Sequence, residues 1–481
     1  MNAVPQWVQD AVFYQIFPDR FAQSAQLNKP PRLEAWDAPP TERGFKGGDL
    51  YGVVEKLDYL QDLGITALYL NPVFASAANH RYHTYDYERV DPLLGGDDAL
   101  RTLLDRAHER DMKVVLDGVF NHASRGFFAF HHLLENGAKS PYLDWFHVKG
   151  FPLRAYATNQ PPNYDAWWGL PALPKFNVAH PDVREYLWHV ATRWIEFGID
   201  GWRLDVPEEI DDPEFWREFR RRVRAITPEA YLVGEIWHRA PDWLAGDRFD
   251  AVMNYPFARA LLGFVLREPP EDELVAGTGY APIPDLDAPA FAAEIDELMS
   301  LYAPEVTQAQ LNLLDSHDTA RFRTLARGDA SAFKLATLLQ MTMPGAPCVY
   351  YGDEIGLEGR RDPDCRRAFP WEANRWDHEL RDYVKSCIAL RREHPALRRG
   401  KLRCLFAGDA VYAFGRRTDD ETLVVVVNTA DAPRSPSLNA SGYLDDGRSL
   451  RDVGSDDGVV VRDGHVDIDV APRSGRVLRA C

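Results

Sequence analysis

Over most of the chain, short apolar runs of strand length alternate with longer stretches whose apolar residues recur at helical spacing. The strand-like runs are Val12–Phe17 (VFYQIF), Ala67–Val73 (ALYLNPV), Lys113–Val119 (KVVLDGV) and Gly201–Val206 (GWRLDV), then Tyr231–Ile236, Asp250–Tyr255, Gln310–Ser316 and Cys348–Gly352. Between them, Leu50 to Asp62 has helical spacing with Gly64 as its stop, and Ala99 to Arg110 reads as an amphipathic helix. From Asp182 to Phe197, residues Val183, Tyr186, Leu187, Val190, Ala191, Trp194 and Ile195 mark one helix face, with Pro181 at the start and Gly198 at the end. Eight strand-like runs separated by helical segments predict an α/β fold, a (β/α)8 TIM barrel rather than an open sheet.

The alternation fails in two places. Residues 121–175 are dense in aromatics, His, Pro and Gly. They are too long for a plain connection and predict a small inserted domain after the third strand. Beyond Gly400 the runs Leu402–Phe406, Ala410–Phe414, Thr422–Asn428 and Val459–Val470 are short and β-rich, and the Asp-Gly pairs at 446–447, 457–458 and 463–464 signal hairpins. The predicted division is a barrel over 1–120 and 176–398, an inserted domain over 121–175, and a C-terminal all-β sandwich over 399–481.

Composition narrows the partners. A net charge of -18 disfavours nucleic acid and anionic membranes and favours a neutral substrate. The five cysteines are scattered, odd in number and without CxxC spacing, which suits a reducing compartment. No run reaches the roughly 18 apolar residues of a membrane span, and the N-terminus lacks a basic stretch followed by an apolar one. A cytoplasmic location is expected.

The chemistry gathers at strand ends. Arg203 and Asp205 are two residues apart and share one face of their strand. A core strand rarely aims two charges inward unless they have partners or work to do. The third strand ends with Asp117, Asn121 and His122; the fifth with Glu235, Trp237 and His238; the seventh with Asp315, His317 and Asp318; and Tyr82 follows the second. Taken singly, such an Asp caps a helix, such a His is hydrogen-bonded structure and such a Trp is packing. Taken together they converge on the C-terminal rim, where barrels of this kind place reactive groups. No metal is expected: the histidines lack helical ligand spacing and Arg203 would repel a cation. No phosphate loop follows the first strand, and GxSxG is absent. Two opposed carboxyls suit the cleavage of a glycosidic bond. Asp205, beside Arg203, is expected to stay ionised as nucleophile, and Glu235, flanked by aromatics, to hold a proton as the acid. Asp318 would hold sugar hydroxyls, and Tyr82 and Trp237 would offer platforms.

These segments resemble the α-amylase family of glycoside hydrolases, in particular its cyclomaltodextrinase, neopullulanase and maltogenic amylase branch. DGVFNH (Asp117 to His122), GWRLDV, GEIWH (Gly234 to His238) and LLDSHD (Leu313 to Asp318) match the family's four motifs in order. LPKFN (Leu173 to Asn177), NHRYHTYDY (Asn79 to Tyr87) and DPDCRRAFPW (Asp362 to Trp371) resemble features of this branch. The resemblance implies a retaining mechanism with Asp205 as nucleophile, Glu235 as acid/base and Asp318 as third acid. It implies sugar binding by Tyr82, His122, Arg203, His317 and His238, with Trp237 as the acceptor-side platform and Glu209 also on the acceptor side.

The sequence departs from the branch at several points. The first barrel strand begins near Val12, so the N-terminal β-domain usual in the branch is expected to be missing, and the oligomeric state stays open. The loop after Phe21 reads AQSAQLNKPP where calcium ligands are usual; Asp49 remains. No cofactor is required, and a structural calcium ion has lost most of its oxygen ligands. Pro207 and Glu208 stand where Ala-Asn is usual. The expected function is a retaining α-glucan hydrolase acting on α-1,4 bonds, with α-1,6 bonds as further candidates, in maltooligosaccharides, cyclodextrins or pullulan. The alternative is a 4-α-glucanosyltransferase on the same site. A non-catalytic carbohydrate-binding protein is a third reading, opposed by the intact acids.

Overall fold

In the computed structural model, which describes residues 4–455 and 457–481, eight parallel strands form a single barrel. They are β1 (Phe13–Ile16), β2 (Ala67–Leu70), β3 (Lys113–Gly118), β4 (Gly201–Leu204), β5 (Tyr231–Gly234), β6 (Ala251–Val252), β7 (Leu311–Leu313) and β8 (Ala346–Tyr350). Neighbours pair in the order β6-β5-β4-β3-β2-β1-β8-β7. A parallel bridge between Met253 and Leu311 joins the two ends and closes the ring. The strands are buried on both faces, which explains their nearly continuous apolar runs. Gly201 opens β4 for a steric reason: a Cβ there would lie 2.2 Å from the Tyr231 carbonyl oxygen on β5.

Helices cover the outside. The longest, Pro181–Phe197, buries Val183, Leu187, Val190, Ala191, Trp194 and Ile195 of the stripe read from the sequence and half-buries its Tyr186, and Gly198 ends it in the left-handed region. The stretch read as one helix from Leu50 is two, Leu50–Glu55 and Leu57–Leu63. Lys56 leaves helical dihedrals between them, and its ammonium sits 4.1 Å over the Trp371 ring.

After β2 the chain makes a hairpin of Phe74–Ser76 and Thr84–Val90, with Tyr82 in its connection. After β3 it enters the inserted segment, which holds a helix at Phe128–Asn136 and several short turns. The bridge His122–Lys175 brings its two ends together beyond the end of β3, and Phe146–Phe176 ties its middle to the chain leaving it.

The C-terminal region is a sandwich of a six-stranded antiparallel sheet and a two-stranded one. Its strand Thr422–Asn428 shows how it is fixed. Leu423, Val425 and Val427 join the barrel's core, while Val424 and Val426 join the core between the sheets. Alternation along one strand thus serves two layers. Several details differ from the sequence expectation, beginning with the strands Ser437–Asn439 and Ser449–Asp452, which lie outside the runs read from it. Val459–Val470 is two strands, Gly458–Val460 and His465–Asp467, in different sheets. The turn at Asp463 and Gly464, both with positive φ, overrides the apolar run. The strand Ser474–Ala480 was not anticipated, because SGRVLRA is charged and Gly-containing; it lies inside the larger sheet, between Thr422–Asn428 and Ser449–Asp452.

Candidate active site

Arg203 is the hub. Its side chain points into the barrel from β4, while Trp202 and Leu204 belong to the apolar core. The register places Arg203 opposite Asp117 on β3. Its Nη1 donates to both Asp117 oxygens at 2.9 and 3.0 Å and to Asp205 Oδ1 at 3.1 Å. Nη2 lies 3.1 Å from Glu235 Oε2, a contact with the distance of an ion pair but not the geometry of a hydrogen bond. One fully buried guanidinium therefore faces three carboxylates, and two of them are the residues expected to be nucleophile and acid.

This arrangement changes the expected electrostatics. Arg203 does not simply hold Asp205 ionised. Burial first, and the neighbouring Glu235 next, push the Asp205 carboxyl well up from its ordinary range, and Arg203 opposes them. Glu235 is raised by burial against the pull of Arg203, with Asp318 adding to the rise. Asp117 is pushed up to about 6 by burial, again against Arg203. One positive charge cannot compensate three buried negative ones, so the cluster retains protons above the ordinary carboxylate range.

Glu235 is held from two further sides. Its Oε2 accepts from the Val206 backbone N–H at 3.0 Å and its Oε1 from Trp237 Nε1 at 3.1 Å. Val206 has φ 35° and ψ 52°, a left-handed conformation that is an outlier for a β-branched residue. The strain aims an N–H at the carboxylate, a pattern found at functional sites. Trp237 is itself fixed: it stacks on Tyr255 with ring centroids 3.5 Å apart and planes 6° from parallel. One face of the expected platform is therefore covered, and its indole N–H is engaged with Glu235.

Asp318 is about a third exposed, with Oδ1 3.1 Å from Arg366 Nη2 and Oδ2 3.1 Å from His317 Nε2. His317 Nδ1 lies 2.9 Å from the Gln15 amide nitrogen. That nitrogen can only donate, which makes Nδ1 the acceptor and leaves the proton on Nε2. Burial, then Arg366 and Arg203, hold His317 well below its ordinary pKa, so the ring is neutral. Its Nε2 also lies 2.6 Å from the Tyr82 hydroxyl, which donates to Asp117 Oδ2 at 2.8 Å. Tyr82, His317 and Asp117 thus form one chain of hydrogen bonds from the hairpin to β3 and the end of β7. His122 is buried with Nε2 unpartnered among the described residues; burial lowers its pKa to about 3, and its ring stacks on Trp167.

Two of the expected residues stand further out. Glu209 is exposed and pairs with Lys175 of the inserted segment at 2.7 Å. His238 is exposed, with Nε2 2.8 Å from Glu208 Oε1 and Nδ1 2.9 Å from the Arg239 carbonyl oxygen. The sequence places Asp117 at the strand-end rim without a role, and does not single out Arg366, Gln15 or Val206. Asp117 and Arg366 do lie inside the motif segments; Gln15 and Val206 act through an amide and a backbone N–H, which residue type does not reveal.

At the loop where the resemblance places calcium ligands, the Asp49 carboxylate is engaged by protein donors. Asp49 Oδ1 accepts from Gly52 N at 2.8 Å and Oδ2 from Ser24 N at 2.9 Å, and Lys29 Nζ binds the same Oδ2. An ammonium occupies the carboxylate's open side. Among the described residues no group of three or more His, Cys, Asp or Glu side chains could hold a metal ion.

Comparison with known proteins gives a consistent picture. The family described as the alpha amylase catalytic domain matches residues 15–399. The chain is 46% identical over 431 residues to a cyclomaltodextrinase of Geobacillus thermopakistaniensis, covering 89% of this chain and 70% of the relative. A solved structure of a Thermus thermophilus protein is 52% identical with a TM-score of 0.95, covering 99% of this chain and 100% of that one. The debranching enzyme of Nostoc punctiforme, from acarbose-soaked crystals, is 46% identical with a TM-score of 0.90, again covering 99% and 100%.

Proposed function

The chain belongs to the α-amylase family of glycoside hydrolases, and we propose that it is a retaining hydrolase of short α-glucans. The observation that carries this reading is that Asp205 and Glu235 reach the same guanidinium at the barrel mouth, so that both can address one linkage. Glu235 hands its proton to the glycosidic oxygen as the bond to the anomeric carbon breaks. Asp205 attacks that carbon and forms a glycosyl ester. Glu235, now a carboxylate, takes a proton from water, whose oxygen displaces Asp205. Asp318 and His317 hold hydroxyls of the ring being cleaved, and Arg203 steadies the negative charge that moves between the two acids. The negative charge of this cluster also favours the positive charge that develops on the sugar ring in the transition state.

Cyclomaltodextrin and debranching activities are named for the relatives, which supports α-1,4 and α-1,6 bonds as the substrates to compare. Among the described residues no helix is long and apolar enough to cross a membrane. A Bacillus subtilis relative is named an intracellular maltogenic amylase, which supports a cytoplasmic location. The test is incubation with maltoheptaose, β-cyclodextrin and pullulan in parallel, with the anomer of the first product read by NMR. New reducing ends in the α-configuration are expected. Absence of any product, or first-formed β-anomer, overturns the reading. Products longer than the donor at high sugar concentration would assign the site to glucanosyl transfer instead.

A further inference from the structure

Among the described residues, five of the nine exposed large apolar side chains lie in the inserted segment: Phe128, Phe151, Tyr156, Trp168 and Leu170. Trp168 is the most exposed, at 78%. It sits in a turn closed by bonds from Gly169 N to Ala166 O and from Leu170 N to Trp167 O. Its backbone has φ 49° and ψ 22°, in the left-handed region that disfavours a bulky side chain. Glycine or asparagine would occupy that conformation at lower cost. Folding gains little in return, because the ring's one aromatic contact is Trp167, on which it stacks with centroids 4.6 Å apart and planes 9° from parallel. Trp167 in turn stacks on His122, at 5.3 Å and 18°. A column of three rings therefore runs from buried His122, which follows β3 and lies by the backbone of Tyr82, to an open indole face at the surface.

We propose that Trp168 is an outer stacking platform for a glucosyl ring of a longer α-glucan, beyond the ring that is cleaved. It rests on the glucan reading of the site. The flat, electron-rich face of an indole suits the C–H face of a sugar ring. The continuity of the column with His122 favours a chain extending out of the site over an unrelated protein partner.

The experiment compares wild type with Trp168→Asn, which keeps the turn, and Trp168→Phe, which keeps a ring. The ratio of kcat/KM for maltoheptaose to that for maltotriose should fall about three- to tenfold in Trp168→Asn, the size expected of one aromatic contact, and recover in part in Trp168→Phe. The melting temperature of Trp168→Asn should be no lower than wild type, because the strained ring is gone. Calorimetric titration with maltoheptaose should show the same loss in affinity. Equal affinity and an unchanged ratio overturn the platform. So does a shift in sedimentation that accounts for the kinetic change, which would make Trp168 a contact between copies. A wild type that binds maltoheptaose through Trp168 yet cleaves nothing would overturn the hydrolytic reading and leave the platform standing.

Discussion

Two of the places where this molecule buries arginine treat it in opposite ways. At the barrel mouth Arg203 faces three carboxylates, Asp117, Asp205 and Glu235. At the seam between the barrel and the C-terminal sheet, Arg391 and Arg416 donate only to backbone carbonyls: Arg391 to Met341, Met343 and Leu397 at 3.1, 3.2 and 3.1 Å, and Arg416 to Gly400 at 3.0 Å. Burial, and next the neighbouring Arg398, lower Arg391 to about 9. Neutral acceptors hold the seam cations in place and add no charge that could react. The mouth has an excess of negative charge, which costs stability and is available for chemistry. Buried charge saturated by dipoles serves structure; buried charge left unbalanced marks a site.

The largest test removes the imbalance. Asp205→Asn and Glu235→Gln should each lower kcat on maltoheptaose by roughly 10^4-fold, the scale on which a nucleophile or proton donor acts. Neither should lower the melting temperature, since each relieves repulsion among buried carboxylates. A variant that loses activity by unfolding, or keeps it, would erase the distinction between the two regions.

The seam should respond in the opposite sense. Arg391→Met keeps bulk but leaves several buried carbonyls without a donor, each worth about 1–3 kcal/mol. Unfolding free energy measured by denaturant should fall by about 3 kcal/mol, while kcat per folded molecule at room temperature stays as in wild type. Lost turnover with retained stability would mean that the seam carries function too.

A smaller effect sharpens the electrostatic side. Asp205 has its folded pKa raised above the unfolded value of about 4. The folded state then binds more protons than the unfolded one in that window, so this carboxylate costs stability as pH rises through it. The stability advantage of Asp205→Asn over wild type should therefore widen from about pH 4 upward and be greatest at neutral pH. A gap that is constant or narrows with pH would show that the carboxylate is not under strain from burial and its neighbours.

Much of this was legible in the chain. The barrel strands announce themselves as apolar runs because they are buried on both faces, and the acids stand out as charges at their ends. What stayed hidden depends on spatial neighbours. Asp205 reads as a carboxylate beside a cation, and only the fold brings Glu235 and Asp117 to the same guanidinium. Gln15 looks like an ordinary polar residue in β1 until its amide is found setting the tautomer of His317. Val206 acts through a backbone N–H that no side chain signals. The strand Ser474–Ala480 escaped because its pairing partners, rather than its composition, make it a strand.

The smallest expected effect concerns another cation, Lys29, whose ammonium is bound to Asp49. If an ammonium serves here the structural purpose that neutral carbonyls serve at the seam, the loop after Phe21 needs no divalent ion. Dialysis against EDTA should leave the melting temperature and kcat unchanged within error, and added calcium should change neither. Lys29→Met should lower the melting temperature, because Asp49 would stay buried at the start of its helix without a counter-charge. A fall in melting temperature on chelation of wild type, restored by calcium, would show that an ion and not Lys29 neutralises this carboxylate, and would move Asp49 from the structural class to the ion-binding one.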